Sequence, residues 1–353
     1  MIKWVPAGLI LALVALGLAG GHLRAFEVTS GARCTYALAE EAIPAADVLL
    51  VGASRVRRGL DPDYIQALMA EAGTNMSVDR LTLNLPNFPQ YFPLISRYLE
   101  TRGPPQITYL QLVYNFKPAR QAAWDIPVNP QRNLAFGRLS ELAAVQLDTP
   151  LNDTGAALPR KLQKGFQNLP VAWLTRAEMM VYSTLRYVPQ RLLGKMPNCT
   201  EAIMRANGST VAITGTTLDG ANAIKFMPPD SGRLAAWQSE AAEFLPLAPD
   251  APWRQGETAQ LQKLVTLLED AGTQVVFLIM PSITQLTVDA DTLAQINTVF
   301  PGIDVHFPMA AFDDELAHQI SVSFVDTHHV NEFGAVHLSQ ALAQDLQQRL
   351  DSQ

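Results

Sequence analysis

Apolar residues alternate along this chain between short continuous runs and stretches spaced by three or four. Asp47 to Val51 is a short apolar run, and Tyr64 to Ala72 follows with helical spacing through Tyr64, Ile65, Leu68 and Met69. Ile107 to Tyr114 is a second run, introduced by the breaker Gly103-Pro104-Pro105. Leu261 to Ala271 is helical through Leu261, Leu264, Val265, Leu267 and Leu268, with Gly272 ending it. Val275 to Pro281 is a third run, and the mixed stretch Asp304 to Phe307 reads as a fourth strand. The last helix is marked by Ala335, Leu338, Leu342 and Leu346. Uninterrupted apolar runs are the mark of strands buried on both faces, and spacings of three and four are the mark of one buried helix face. Strands alternating with helices predict an α/β fold, a parallel sheet flanked by helices. In such sheets ligands sit beyond the carboxyl ends of the strands.

From about Ala119 to Ala251 the alternation stops. Prolines, scattered aromatics and mixed helical stretches (Leu139 to Leu147, Arg176 to Leu193) take its place. The expected organisation is a signal anchor over 1–25, one core in two parts over 26–118 and 255–353, and a largely helical insertion or cap over 119–254. No internal repeat or low-complexity tract is present.

The first segment has a chemistry of its own. Lys3 precedes an uncharged stretch from Trp4 to Gly21, and His22 and Arg24 follow. As a helix this stretch spans about 27 Å, close to the ~30 Å hydrocarbon core of a bilayer. It is expected to be an uncleaved transmembrane helix; a cleaved signal peptide, cut near Gly17-Leu18-Ala19, is the alternative. Either form sends the remaining chain out of the cytoplasm.

Over 353 residues, 48% are hydrophobic and 17% charged, enough apolar material for a packed core. The formal charge of -7 argues against a nucleic-acid partner, because no basic excess exists to neutralise phosphates. Arg55, Arg57 and Arg58 form a tight basic cluster, expected as a solvated helix start; contact with an anionic glycan or partner is the other reading. Cys34 and Cys199 lack metal-ligand spacing, and an oxidising compartment permits a bridge between them without requiring one.

Two blocks carry candidate chemistry. Near the N-terminus, Val48-Leu49-Leu50-Val51-Gly52-Ala53-Ser54 reads as a strand ending in a small-residue turn, with a serine just beyond its carboxyl end. Near the C-terminus, Asp326-Thr327-His328-His329 offers a carboxylate and an imidazole three residues apart, leading into a helix. A serine hydroxyl becomes a useful nucleophile when a histidine takes its proton and a carboxylate orients that histidine.

The two blocks resemble those of the SGNH (GDSL-like) hydrolase superfamily, and within it the membrane-anchored periplasmic members that accompany polysaccharide O-acetylation, such as the alginate acetylation proteins. The resemblance rests on Gly52-Ala53-Ser54-Arg55-Val56-Arg57-Arg58-Gly59-Leu60-Asp61-Pro62 and on Asp326-Thr327-His328-His329-Val330-Asn331-Glu332-Phe333-Gly334-Ala335, in that order. It implies an SGNH/flavodoxin-like three-layer core with Ser54 as nucleophile, His329 as base and Asp326 as the orienting carboxylate. The family's Asp-x-x-His pattern selects His329 over His328. The Ser54 amide and Asn115 are the implied oxyanion donors. The chain departs from the family in two places: Leu83-Asn84-Leu85-Pro86-Asn87-Phe88 has no glycine, and Ala53 stands where many relatives have Asp.

The resemblance further implies an inner-membrane, single-pass protein with its catalytic domain in the periplasm. It would be an acyl esterase or O-acyltransferase acting on a carbohydrate or polysaccharide hydroxyl, with a membrane-bound acyltransferase as partner and no cofactor or metal. Two other classes compete with this expectation. A non-catalytic glycan-binding or scaffold protein would keep the fold without Ser54 and His329 meeting at hydrogen-bond distance. A metal hydrolase would gather Asp326, His328, His329 and His337 around one ion.

Overall fold

The computed structural model describes residues 38–83, 88–112, 254–283, 286–288, 290–321, 323–326 and 328–352, with single positions 35, 232, 235, 236 and 239. Residues 1–25, nearly all of 119–254, Asn115, Cys34 and Cys199 lie outside them, and with them the expected anchor, cap and oxyanion asparagine and both cysteines. Among the described residues no helix is long and apolar enough to cross a membrane.

Among the described residues five strands, β1 (Val48–Gly52), β2 (Val78–Thr82), β3 (Ile107–Leu112), β4 (Gln274–Ile279) and β5 (Asp304–His306), form one sheet in the order β2-β1-β3-β4-β5. Every neighbouring pair is parallel, with Val48 opposite both Val78 and Ile107, and Ile107 opposite Gln274. Among the described residues seven α-helices accompany it: α1 (Ser54–Gly59), α2 (Pro62–Glu71), α3 (Phe88–Arg102), α4 (Arg254–Asp270), α5 (Ala290–Val299), α6 (Asp314–Ser321) and α7 (Glu332–Asp351).

Side chains alternate between the two faces of a strand, so each strand feeds two cores. Leu49, Val51, Leu110, Phe277 and Ile279 pack against Tyr91, Leu94 and Tyr98 of α3, Leu264 and Leu268 of α4, and Ile296 of α5. Val48, Leu50, Tyr109, Val276 and Leu278 pack against Val56 of α1, Ile65 and Met69 of α2, Ile320 of α6, and Leu338, Leu342 and Leu346 of α7. Burial on both faces is why β1, β3 and β4 read as unbroken apolar runs. The chain turns from α4 into β4 through Gly272, which stands at φ 87°, a conformation that costs glycine little.

Right-handed crossovers fix which face each helix takes. The chain winds outward from β1 to β2 through α2, then reverses across β1 to β3 through α3, which falls on the opposite face. The reversal leaves a crevice between the carboxyl ends of β1 and β3, the position where sheets of this kind bind ligands.

Candidate active site

Ser54 stands at that crevice because β1 ends at Gly52 and α1 begins at Ser54. The turn is held tightly. The Ala53 amide donates to Gln111 Oε1 at 2.7 Å, tying the end of β1 to the end of β3. A Cβ on Gly52 would lie 2.6 Å from the same Oε1 and collide with Val56, so only glycine fits there. Farther along, Asp61 caps α2 by accepting from the amides of Asp63 and Tyr64, with Pro62 at the first helical position. The Asp61 amide in turn donates to Ser339 Oγ of α7 at 3.0 Å. The Gly-x-Ser to Asp-Pro segment is thereby fastened to the same helix that follows the second block.

The second block is a loop closed on itself. Phe324 and Val330 bridge antiparallel, the Val325 amide donates to the His329 carbonyl at 2.8 Å, and the Asn331 amide to the Ser323 carbonyl at 2.6 Å. Asn331 caps α7 by accepting from the Gly334 amide at 3.1 Å. A Cβ on Gly334 would sit 2.7 Å from Val330 Cβ, which accounts for a glycine three residues after the cap. Inside the loop, Asp326 Oδ1 accepts from the backbone amides of His328 and His329, each at 2.9 Å.

These two constructions bring three side chains into series. His329 Nε2 lies 2.7 Å from Ser54 Oγ, and His329 Nδ1 lies 2.7 and 2.8 Å from the two carboxylate oxygens of Asp326. Burial pushes the Asp326 carboxyl up, but the hydrogen bond and charge of His329 and the two backbone amides outweigh it and bring the carboxyl down from 3.8 to about 2. An ionised carboxylate only accepts, so Nδ1 carries the proton and Nε2 offers its lone pair to the serine hydroxyl. No protein-family model and no curated protein matches this chain. The arrangement itself is one in which an imidazole can take a serine proton during acyl transfer.

His328 takes another direction. Its Nδ1 accepts from Arg55 Nη2 at 3.2 Å. His337 bonds through Nδ1 to Gln340 and packs its ring against Phe333. The histidines of the metal-hydrolase alternative thus turn to different partners, and no group of metal-ligating side chains occurs among the described residues.

The solvated reading of the arginine cluster is corrected. Arg55 and Arg57 are 8% and 6% exposed, and Arg58 reaches Asp326 Oδ2 at 3.5 Å with a side chain 14% exposed. A helix of six residues, wedged between the sheet and α7, has little outward face to offer its charges. Desolvation lowers the Arg55 guanidinium to about 10, although the charge of Asp326 opposes the shift.

Two contributors escaped the sequence reading. Gln111 is 1% exposed within β3, and its buried Nε2 has no hydrogen-bond partner among the described residues while Oε1 holds the Ala53 amide. The signal was available: a lone amide in the run Leu110-Gln111-Leu112 at a strand's carboxyl end. Arg58 against Asp326 had no such signal, since only the fold brings them together. The Ser54 amide, first in α1, belongs to the set that a helix leaves without an internal acceptor, and none of the described residues accepts from it.

Proposed function

We propose that this chain is an SGNH-type serine acyl esterase or O-acyltransferase that acts on a carbohydrate hydroxyl through an acyl-serine intermediate. The observation that carries the reading is the 2.7 Å approach of Ser54 Oγ to His329 Nε2, with Asp326 behind the imidazole. The strand order β2-β1-β3-β4-β5 is the flavodoxin-like order and supports the SGNH/flavodoxin-like assignment.

In the first half-reaction Ser54 Oγ attacks the acyl carbonyl as His329 Nε2 takes its proton. Asp326 stabilises the imidazolium that forms. The negative oxygen of the tetrahedral intermediate meets the Ser54 amide, with Asn115 as second donor. Collapse expels the alcohol, which leaves with the proton from His329, and the acyl group stays on Ser54. In the second half a sugar hydroxyl or water gives its proton to His329 and attacks the acyl carbonyl, restoring the serine. Transfer and hydrolysis share these residues and differ in the acceptor admitted.

Residues 1–25 hold the protein in the inner membrane in this reading, with the core in the periplasm. A membrane-bound acyltransferase supplies the acyl group, and a polysaccharide receives it. Release of nitrophenol from p-nitrophenyl acetate tests the proposal: the wild-type chain turns over, whereas Ser54→Ala and His329→Ala do not. Equal release by the wild type and Ser54→Ala would leave the fold as a glycan-binding or scaffold module.

A further inference from the structure

Arg55 is the residue that the acyl-serine chemistry leaves unused. It follows Ser54 directly, is 8% exposed, and reaches from α1 to the loop that carries Asp326 and His329. Its Nη2 donates to His328 Nδ1. A guanidinium has no lone pair to offer, so that Nδ1 is an acceptor and carries no proton. His328 therefore holds Arg55 in place without supplying a negative charge.

Among the described residues, four other arginines face a carboxylate. Arg97 pairs with Glu40 at 2.6 Å, Arg102 with Asp79 at 2.8 Å, and Arg349 with Asp304 and Asp345. Arg58 faces Asp326, and Arg80 donates to the carbonyls of Arg57 and Leu60 at 2.7 and 2.5 Å. Among the described residues, no carboxylate lies within ion-pair distance of Arg55. Asp326, whose charge it senses, is already occupied by His329, Arg58 and two backbone amides. Burying a cation without a counter-charge is costly, and natural chains rarely keep one unless something else supplies the anion. Even lowered to about 10, the guanidinium remains charged at neutral pH.

We propose that Arg55 is an anion-binding subsite beside Ser54, and that it takes a carboxylate carried by the substrate. The inference rests on the acyl-serine reading for the word substrate, but not for the binding itself. One uncompensated positive charge matches a monoanion, and the planar fork of a guanidinium matches the two oxygens of a carboxylate. Two sources share that chemistry: a uronate unit of the glycan, or an acyl group that ends in a carboxylate.

The test uses the full-length chain in detergent micelles, in a Ser54→Ala background that prevents turnover, with binding followed by calorimetry. One arm compares an oligogalacturonate tetramer with its methyl-esterified form; the other compares p-nitrophenyl hemisuccinate with p-nitrophenyl butyrate. Preference in the first arm assigns the carboxylate to the glycan, and preference in the second assigns it to the acyl group. The anionic member of one pair is expected to bind about tenfold tighter or better, the preference shrinking to about twofold or less in Arg55→Gln. Arg55→Lys, which keeps the charge but loses the fork, gives an intermediate preference and serves if the glutamine variant fails to fold. Equal affinity for both members of both pairs would overturn the subsite and leave Arg55 as a strap between α1 and the loop. Nitrophenol release by the wild type is scored separately, so loss of turnover with the preference intact would sink the acyl-serine reading alone.

Discussion

Replacing Asp326 by asparagine is the sharpest perturbation of the site, because it changes charge and hydrogen-bonding sense while keeping shape. Asp326 Oδ1 accepts two backbone amides at 2.9 Å, so the amide oxygen of the new side chain stays there. Its NH2 group then faces His329 Nδ1, in the place of a carboxylate oxygen now 2.7 Å away. A donor at that position forces Nδ1 to accept, and the ring proton moves to Nε2, where it points at Ser54 Oγ. The imidazole can no longer take the serine proton, and the carboxylate that stabilised the imidazolium is gone. Where the same exchange has been made in a Ser-His-Asp triad the rate falls about ten-thousandfold, or ~5.4 kcal/mol of barrier. KM changes little. Stability changes little too. The carboxyl shift from 3.8 to about 2 corresponds to ~2.5 kcal/mol before screening. With 41% of the side chain exposed, solvent reduces this to roughly 1 kcal/mol. Nitrophenol release gives the rate, and urea denaturation shows that the variant is folded. A folded Asp326→Asn protein within about tenfold of the wild-type rate would refute the argument that Asp326 sets the His329 tautomer.

Two further outcomes follow from the packing. Gly52→Ala drives a methyl group against Gln111 Oε1 and Val56, and should lower stability by about 1–3 kcal/mol; an unchanged urea midpoint would contradict the close approach. Asp345 accepts from Tyr109 Oη at 2.6 Å and from Arg349 Nε at 2.7 Å, with His306 Nδ1 at 3.3 Å. Burial raises its carboxyl, but His306, Arg349 and Tyr109 outweigh burial and hold it below the ordinary 3.8. A carboxyl held low contributes stability that is complete above its unfolded value and lost as pH falls through its folded one. Wild-type stability should therefore decline below pH ~4, and Asp345→Asn, weaker by on the order of 3 kcal/mol at neutral pH, should decline less steeply. Parallel pH profiles for the two proteins would show that the network does not act through this carboxylate.

What the sequence disclosed about the fold follows from burial. β1, β3 and β4 lie inside the sheet and announce themselves as apolar runs. β2 is an edge strand whose Asp79 and Arg80 are only partly buried, and that mixture hides it. α3 carries Pro93 in its interior, a residue that ordinarily argues against a helix. α4 begins at Arg254, well before Leu261, because Arg254 to Gln260 is almost wholly polar and has no apolar period to read. α1 is too short to show any period.

The site divides along the same line. Ser54, Asp326 and His329 were legible as candidates because each stands near a change of element: a strand end, a turn, the approach to a helix. The choice of His329 over His328 came from a family pattern, and the structure places His329, not His328, against Ser54. The burial of Arg55 and Arg57 was illegible, since charge clusters on helices usually face water and only the tertiary packing of α1 decides otherwise.

Acylation of Ser54 is the step on which the proposed chemistry depends. Intact mass and peptide mapping of the full-length chain after exposure to p-nitrophenyl acetate measure this directly. The expected result is one acetyl group, mapped to the peptide containing Ser54, absent from Ser54→Ala and strongly reduced in His329→Ala. A folded chain that acquires no acetyl group, or acquires it equally in Ser54→Ala, would contradict it.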